Sequence, residues 1–281
     1  MSQNGQTAPT APIPGRSIDP DDFQAVARPI AAMAKDYPDG WVNQWHRHRR
    51  AQLVYASSGV MTIRTPHGIW IVPPDRALWI PPAIDHEITM AGAVTMRTLY
   101  IEPGAAAGLP DVCAVVAVSG LLRELILRAA VMPLLYDESG PDGRVADLIF
   151  DELRTLPALP LHLPNPRDGR LQRLCAGVRE RPADDRTLEA WGSEVGASAR
   201  TLARLFRRET GLTFGRWRAQ ARLLTALARL GAGEKVTAVA LDLGYDSPSA
   251  FAALFRRHFG VPPSRYFDRN ISGRRPDAGA V

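Results

Sequence analysis

Along residues 45–101 apolar and polar positions change places in short runs, among them AQLVYASSGVMTIRT, GIWIVPPDRALWIPP, HEITM and VTMRTLYI. Val, Ile, Trp and Tyr are frequent, and Gly or Pro interrupts every 8–12 residues. Alternation with period two suits strands that bury one face, and many short strands at this spacing predict a sandwich or barrel. Near Ser119 the period becomes helical. SGLLRELILRAAVM places Leu121, Leu122, Leu125 and Ile126 on one stripe, and DGRVADLIFDELRTL does the same with Val145, Leu148, Ile149, Leu153 and Leu156. Ser119 and Asp142 are the expected N-caps of these two helices. LPALPLHLPNPRD (156–168) carries four prolines and reads as a linker. From Leu171 to Phe267 the pattern is helical almost throughout.

This predicts an α+β multidomain chain: a β-barrel with two following helices, then an all-α domain. Residues 1–22 are expected as a disordered tail, 23–156 as the barrel domain, 157–167 as the linker, 168–268 as the helical domain and 269–281 as a flexible tail. The two apolar stripes within 119–156 exceed what covering one barrel requires, so a homodimer seam is expected there.

The helical part repeats itself. LARLFRRETG begins at Leu202, and FAALFRRHFG begins 49 residues later at Phe251. On a helical wheel at about 100° per residue, Leu202, Leu205 and Phe206 form one stripe. Arg200, Arg204 and Arg207 oppose it, with Ala203 and Arg208 beside them. In the second copy Phe251, Leu254 and Phe255 form the stripe, and Ser249, Ala252, Ala253, Arg256 and Arg257 face away. Each copy follows a short apolar helix, a glycine (Gly196, Gly244) and a serine N-cap (Ser198, Ser247), and each ends at a glycine (Gly211, Gly260) suited to a left-handed C-terminal cap. Helix, tight turn and capped helix with a basic outer face is the helix-turn-helix pattern. The joining segment TFGRWRAQARLLTALARL, about 17 residues at ~1.5 Å each, is long enough to set two recognition helices about one DNA turn apart.

Charge agrees with this division. Residues 1–167 carry a net charge of −3 and residues 168–281 a net charge of +8. A basic C-terminal half fits double-stranded DNA as partner, bound by residues 168–281 with steep salt dependence; a merely solvated basic surface is the other reading of charge alone. The two cysteines make no disulfide framework, no run of 18 apolar residues occurs, and the first residues lack a basic start and apolar core. A cytoplasmic protein without membrane contact is expected.

The segments SARTLARLFRRETGLTFGRWRAQARL and AVALDLGYDSPSAFAALFRRHFGVPPSRYF closely resemble the DNA-binding domain of the AraC/XylS family of bacterial transcriptional regulators, over roughly residues 170–267. The resemblance implies seven helices, two helix-turn-helix units, and activation or repression, with RNA polymerase as a further partner. Base-reading positions carried over from it are Arg200, Ala203 and Arg204 in the first unit and Pro248, Ser249, Ala252 and Ala253 in the second. The second set holds few long polar side chains. The remaining candidates at this interface are Ser198, Arg207, Arg208, Ser247, Arg256 and Arg257.

In the N-terminal half, WHRHRRAQLVYASSG contains His46-x-His48-x3-Gln52-x6-Gly59, and PPAIDH contains Pro81-x-Ala83-x2-His86. These resemble the two signatures of cupins, with Gln52 and Ala83 in place of a glutamate and a glycine, and imply a double-stranded β-helix that binds an effector and dimerises. His46 and His48, two apart on a strand, point to one face. With His86 they could supply three nitrogens to a divalent transition metal, with Gln52 or water as a fourth ligand. The same imidazoles could instead hydrogen-bond within the barrel or to an organic effector. Tyr55 and Trp79 are candidates for an effector pocket, alongside Trp70, or for plain core. No nucleophile–base set stands out, so a ligand-responsive regulator is favoured over a metal-dependent cupin enzyme fused to a DNA-binding domain, and over a constitutive DNA-binding protein whose barrel only dimerises.

Overall fold

The computed structural model describes residues 8–154, 158–159 and 161–267. Residues 1–7 and the expected tail 269–281 lie outside them, as does Leu156. The N-terminal half contains β1 (Ile30–Tyr37), β2 (Val42–His46), β3 (Ala51–Tyr55), β4 (Val60–Thr65), β5 (Gly68–Val72), β6 (Arg76–Ile80), β7 (His86–Ala91), β8 (Val94–Ile101) and β9 (Ala114–Ala117). Two helices follow, α1 (Gly120–Val131) and α2 (Pro141–Arg154), then the short strands β10 (Ala158–Leu159) and β11 (His162–Pro164). One sheet has the order β1-β8-β3-β6-β9-β10 and the other β11-β5-β4-β7-β2. All neighbours pair antiparallel. The N-terminal domain is thus two β-sheets followed by helices, and the C-terminal domain is helical.

The first sheet is buried on both faces, which explains why its strands read as nearly continuous apolar runs. Val54, Leu78, Ile80 and Met96 pack toward the second sheet. Leu53, Tyr55, Ala77, Trp79 and Leu99 alternate with them and pack on α1 and α2 through Leu122, Ile126 and Ile149. The second sheet turns Met61, Ile63, Ile88 and Met90 inward, all at most 1% exposed.

Several sequence expectations are corrected. Strands begin at Ile30, before the first alternating run, because IAAMAKDY pairs with β8 along its whole length and its alanines are buried. The described part of the N-terminal tail is not free: Thr10 and Asp36 exchange backbone hydrogen bonds of 2.9 and 3.0 Å, covering part of the exposed edge of β1. Lys35 Nζ donates to the Ile18 carbonyl at 3.0 Å. The segment expected as a linker instead contributes β10 to one sheet and β11 to the other; Pro164 ends β11, an edge strand, where a missing N–H is tolerated. Ser119 caps α1, accepting from Leu122 N at 2.9 Å. Asp142 lies within the first turn of α2 rather than at its cap. Of the two apolar stripes, Leu122, Leu125, Ile126, Ile149 and Leu153 face the core, so Leu125 is unavailable to a partner, whereas Leu121 and Leu148 are 53% and 46% exposed.

Among the described residues the C-terminal half holds seven helices: α3 (Gly169–Glu180), α4 (Leu188–Val195), α5 (Ala199–Thr210), α6 (Phe214–Gly231), α7 (Val236–Asp242), α8 (Pro248–Phe259) and α9 (Pro263–Tyr266). Trp191, Leu202, Phe206, Trp217, Leu227, Phe251 and Phe255 form their core, each fully buried. That core is continuous with the second sheet. Helix α6 lies against β4, β5, β7 and β11, Trp217 Nε1 donates to the Pro164 carbonyl at 3.0 Å, and Tyr266 Oη donates to Asp75 Oδ1 at 3.3 Å.

Two exposed helix faces and a histidine cluster

Each repeated helix is built from its ends. The chain leaves α4 through Gly196 in the left-handed conformation (φ 73°), and Ser198 Oγ accepts from Thr201 N at 3.2 Å to start α5. Gly211 (φ 71°) ends it. In the second unit Gly244 (φ 77°) makes the turn after α7. Ser247 Oγ then accepts from Ala250 N at 3.1 Å, and Gly260 (φ 76°) closes α8. These caps settle orphan backbone groups and fix where each helix begins. Residues at the start of α5 and α8 therefore hold defined positions.

Burial then sorts the faces. Leu202, Leu205 and Phe206 are buried under α5, whereas Ser198, Arg200, Ala203, Arg204, Arg207 and Arg208 are exposed. Under α8, Phe251 and Phe255 are buried. Ser249, Ala253, Arg256 and Arg257 are exposed, and Ser247, Pro248 and Ala252 are half-buried. Arg208 pairs with Glu209 at 2.9 Å. The candidate positions thus fall on two exposed faces whose helices share one core. Early arginines sit only on the first helix. The second offers small side chains first and its arginines later.

The barrel candidates divide into two groups. His46 on β2 stands opposite His86 on β7 in the strand register, His46 half-buried and His86 buried. A register shift between Asn43 and His46 bends β2 there, and His48 follows on the way to β3. The ring centroids of the three lie 4.3 to 5.3 Å apart, and their candidate ligand nitrogens all fall within 4.8 Å of one another. His46 Nδ1 contacts the Gln44 carbonyl at 2.6 Å and His86 Nδ1 the Ile84 carbonyl at 2.9 Å. Those carbonyls can only accept, so Nδ1 is the donor in each contact. His86 Nε2 and both ring nitrogens of His48 are buried without a hydrogen-bond partner. Each such group costs about 1–3 kcal/mol when left unsatisfied. Burial first, then the neighbouring imidazoles, push His48 down to about 3. Burial is also the largest cause for His86, pushed down to about 4, with His46 adding to it. Both rings are neutral at pH 7. The Tyr100 ring packs edge-on against His48 at 5.0 Å. Gln52 donates from Nε2 to Thr98 Oγ1 at 3.0 Å while its Oε1 has no partner.

Tyr55 and Trp79 are not with the histidines. They alternate out of phase with Val54 and Leu78 and lie on the opposite face of the first sheet, among residues of α1 and α2. Trp79 there lines a cavity of about 500 Å³ with Leu53, Leu109, Val116, Leu153 and Arg154, and its Nε1 donates to the Pro110 carbonyl at 2.7 Å. Trp70 stacks on His162 at 4.5 Å.

Two residues beside the cluster escape a motif reading. Tyr100 sits between Leu99 and Ile101 near the end of β8, with nothing in its neighbours to single it out. Arg50 has a side chain only 1% exposed. Its guanidinium donates to the carbonyls of Gln24, Val26 and Arg28 and pairs with Glu102 at 3.0 Å. It ties the segment before β1 to the loop that carries His48. The available signal was position alone, an arginine directly before a fully buried strand.

Comparison with known proteins matches residues 191–269 to the helix-turn-helix domain family and residues 30–155 to the AraC-like ligand binding domain family. The HTH-type transcriptional regulator NimR of Escherichia coli (strain K12) is 36% identical over 224 residues, covering 80% of this chain and 82% of that protein. The regulatory protein SoxS of the same strain is 35% identical over 100 residues, 35% of this chain and 94% of its own length. Among solved structures, unsaturated fatty acid bound ToxT from Vibrio cholerae strain SCE256 aligns over 85% of this chain and 94% of its own, at 10% identity and a TM-score of 0.37.

Proposed function

The chain belongs to the AraC-type transcriptional regulators, and on that premise we propose that it reads double-stranded DNA through the exposed faces of α5 and α8, as a cytoplasmic homodimer whose DNA affinity changes when an effector occupies the barrel domain. The observation that carries this reading is the pairing of Arg200 and Arg204, exposed on the first turns of a capped helix, with a second capped helix on the same core. Arginine at the start of a helix in the major groove pairs with guanine, while later arginines reach phosphate. Selection from random DNA with the full chain tests it. Two unequal half-sites are expected, with affinity falling steeply as salt rises. Recovery of no preferred sequence would exclude site-specific reading.

The effector arm rests on continuity. Helix α6 joins the two helix-turn-helix units and lies directly on the second sheet, so a rearrangement in the barrel reaches both recognition helices. Compounds that raise the melting temperature of the full chain should also change operator affinity. A stabilising compound that leaves DNA affinity unchanged would favour a barrel that only dimerises. We place the dimer seam on the outer side of α1 and α2, where Leu121 and Leu148 are exposed. Leu121→Glu with Leu148→Glu should yield monomers in sedimentation, and a persistent dimer would move the seam elsewhere. RNA polymerase is the partner through which such a regulator would act on transcription. We read the chain as a regulator rather than an enzyme because the relatives it matches are regulators.

No helix among the described residues is long and apolar enough to cross a membrane.

A further inference from the structure

The two helix-turn-helix units meet at a second place besides α6. The turn between α7 and α8 passes through Gly244, and a Cβ there would lie 2.9 Å from Ala183 Cα and 3.1 Å from the Ala183 carbonyl oxygen. Ala183 belongs to the loop 181–187, which joins α3 to α4 and so leads into the first unit. The turn of one unit is thus seated, backbone against backbone, on the approach to the other. Any side chain at position 244 would push the two apart, which gives the glycine a role beyond its left-handed conformation.

Two arginines of α6 hold that loop. They stand four residues apart, on one face of the helix. Arg222, whose side chain is only 12% exposed, donates to the Pro182 carbonyl at 2.6 Å and pairs with Asp185 at 2.7 Å. Arg218 donates to the Arg186 carbonyl at 3.1 Å. The Arg186 guanidinium in turn lies 3.9 Å from the centre of the Trp191 ring of α4 and pairs with Asp184 at 2.8 Å. The pair with exposed Asp185 is worth little in water. The bonds from guanidinium to carbonyl are charge-assisted and stronger than neutral ones. They fasten the loop to α6, while Arg186 fastens it to α4.

Helix α6 sets how far apart the two units stand. A single connecting helix still lets the second unit swing at the short link 232–235, where Gly233 has φ 87°. Arg229, paired with Glu234 and Asp242, braces that link. The seat of Gly244 on the loop removes the remaining freedom. We propose that Arg222 is a positioning residue for DNA reading: by clipping loop 181–187 to α6 it seats the turn at Gly244, fixes α8 relative to α5, and so sets which spacing between two half-sites the chain accepts. The inference rests on the reading that both helices enter DNA. One base pair more or less between half-sites displaces the second by about 3.4 Å and turns it by about 34°. A rigid pair of helices rejects that change, and a loosened pair tolerates it.

The test titrates the full chain against operator fragments that carry the selected half-sites at the selected spacing, at one base pair more and at one fewer. Wild type should prefer the selected spacing by about 10-fold or more, the scale of one mismatched pair. Arg222→Ala should bring the three affinities toward parity, with base preference inside each half-site unchanged. Arg218→Ala should act in the same direction, and it decides the matter if Arg222→Ala does not fold. A variant that merely lost stability would bind all three fragments less well and keep their ratio, and that result would overturn the proposal. A second arm needs no DNA. The Gly244 and Tyr245 N–H groups donate to the Leu241 and Ala240 carbonyls at 2.9 and 3.1 Å, so their hydrogen exchange reports whether the turn keeps its seat. Exchange in Arg222→Ala should rise both in 181–187 and at Gly244 and Tyr245, while α5 stays protected as in wild type. Faster exchange in the loop alone would also overturn the proposal, because the turn would then not depend on it. If wild type shows no spacing preference, it is the reading of DNA by both helices that fails, and the exchange arm judges the clip by itself.

Discussion

Single residues in this protein act according to how far they reach from a fixed helix start. Ser198 fixes the first turn of α5, and Arg200 and Arg204 project from it. Ser247 does the same for α8, where Ser249, Ala252 and Ala253 occupy the matching turn and Arg256 and Arg257 come a turn later. Arg204→Ala should therefore lower affinity for the selected operator about 10-fold to 100-fold and relax preference at one or two base pairs. Arg257→Ala should weaken binding to all sequences alike and reduce the salt slope by about one counterion. Binding curves on matched and scrambled sites at several salt concentrations separate the two. A stronger base preference on the side of α8 would reverse the assignment. The exposed positions of these residues were legible in the sequence because a capped helix is a local object, fixed by its cap, its period and its terminal glycine. Tyr100 and Arg50 were not, because their roles depend on partners such as His48, 52 residues away, and Glu102.

At the scale of elements, helix ends decide how the C-terminal units hold together. Glu209, near the end of α5, accepts from the backbone N–H groups of Arg167 and Asp168 at 2.8 and 2.9 Å, at the entry to α3. Those backbone hydrogen bonds, led by the one from Asp168, and the Arg208 guanidinium hold its carboxyl below the usual carboxylate range. A carboxylate with a lowered folded-state pKa adds stability that is complete above its unfolded value, about 4.3, and is lost as pH falls through the folded value. Glu209→Gln should therefore be less stable than wild type at pH 7, and the gap should shrink below about pH 4. Denaturant melts at both pH values check this, and a gap independent of pH would mean that shape, not charge, is what Glu209 supplies. Asp168, held low by its pairing with Arg170, titrates in the same direction, so the comparison must be made between variants and not on wild type alone.

At the scale of the molecule, the two domains meet without room to spare. A Cβ on Gly231, at the end of α6, would lie 2.1 Å from Val60 Cγ2 on β4, and one on Gly92 would lie 2.9 Å from the Gly231 carbonyl. Gly231→Ala should thus cost about 1–3 kcal/mol by forcing the helix off the sheet. Val60→Ala should recover part of that loss when combined with it, because it removes the obstructing methyls. Thermal melts of the four chains give the coupling. Additive losses would mean that the helix yields elsewhere. Operator binding by Gly231→Ala, measured beside its stability, tells whether the position of α6 on the sheet also sets the presentation of α5 and α8.

The sequence alone determined what depends on neighbours within a few residues: the alternating strands from 45 to 101, the two amphipathic helices after Ser119, both helix-turn-helix units with their serine caps and glycine ends, and the concentration of positive charge after residue 168. Periodicity and caps are short-range, so they survive in one dimension. Tertiary structure decided what depends on pairing across distance. It drew Ile30–Tyr37, Ala114–Ala117, Ala158–Leu159 and His162–Pro164 into the sheets as strands whose partners lie elsewhere in the chain. It buried Leu125 and left Leu121 and Leu148 outside. Strand alternation put Tyr55 and Trp79 on the helix side of the first sheet, away from the histidines. His46 and His86 came to stand opposite each other only through the register of β2 on β7. A side chain's place on a strand can be read from the sequence, but which face becomes the interior, and what waits there, is set only when the sheets close.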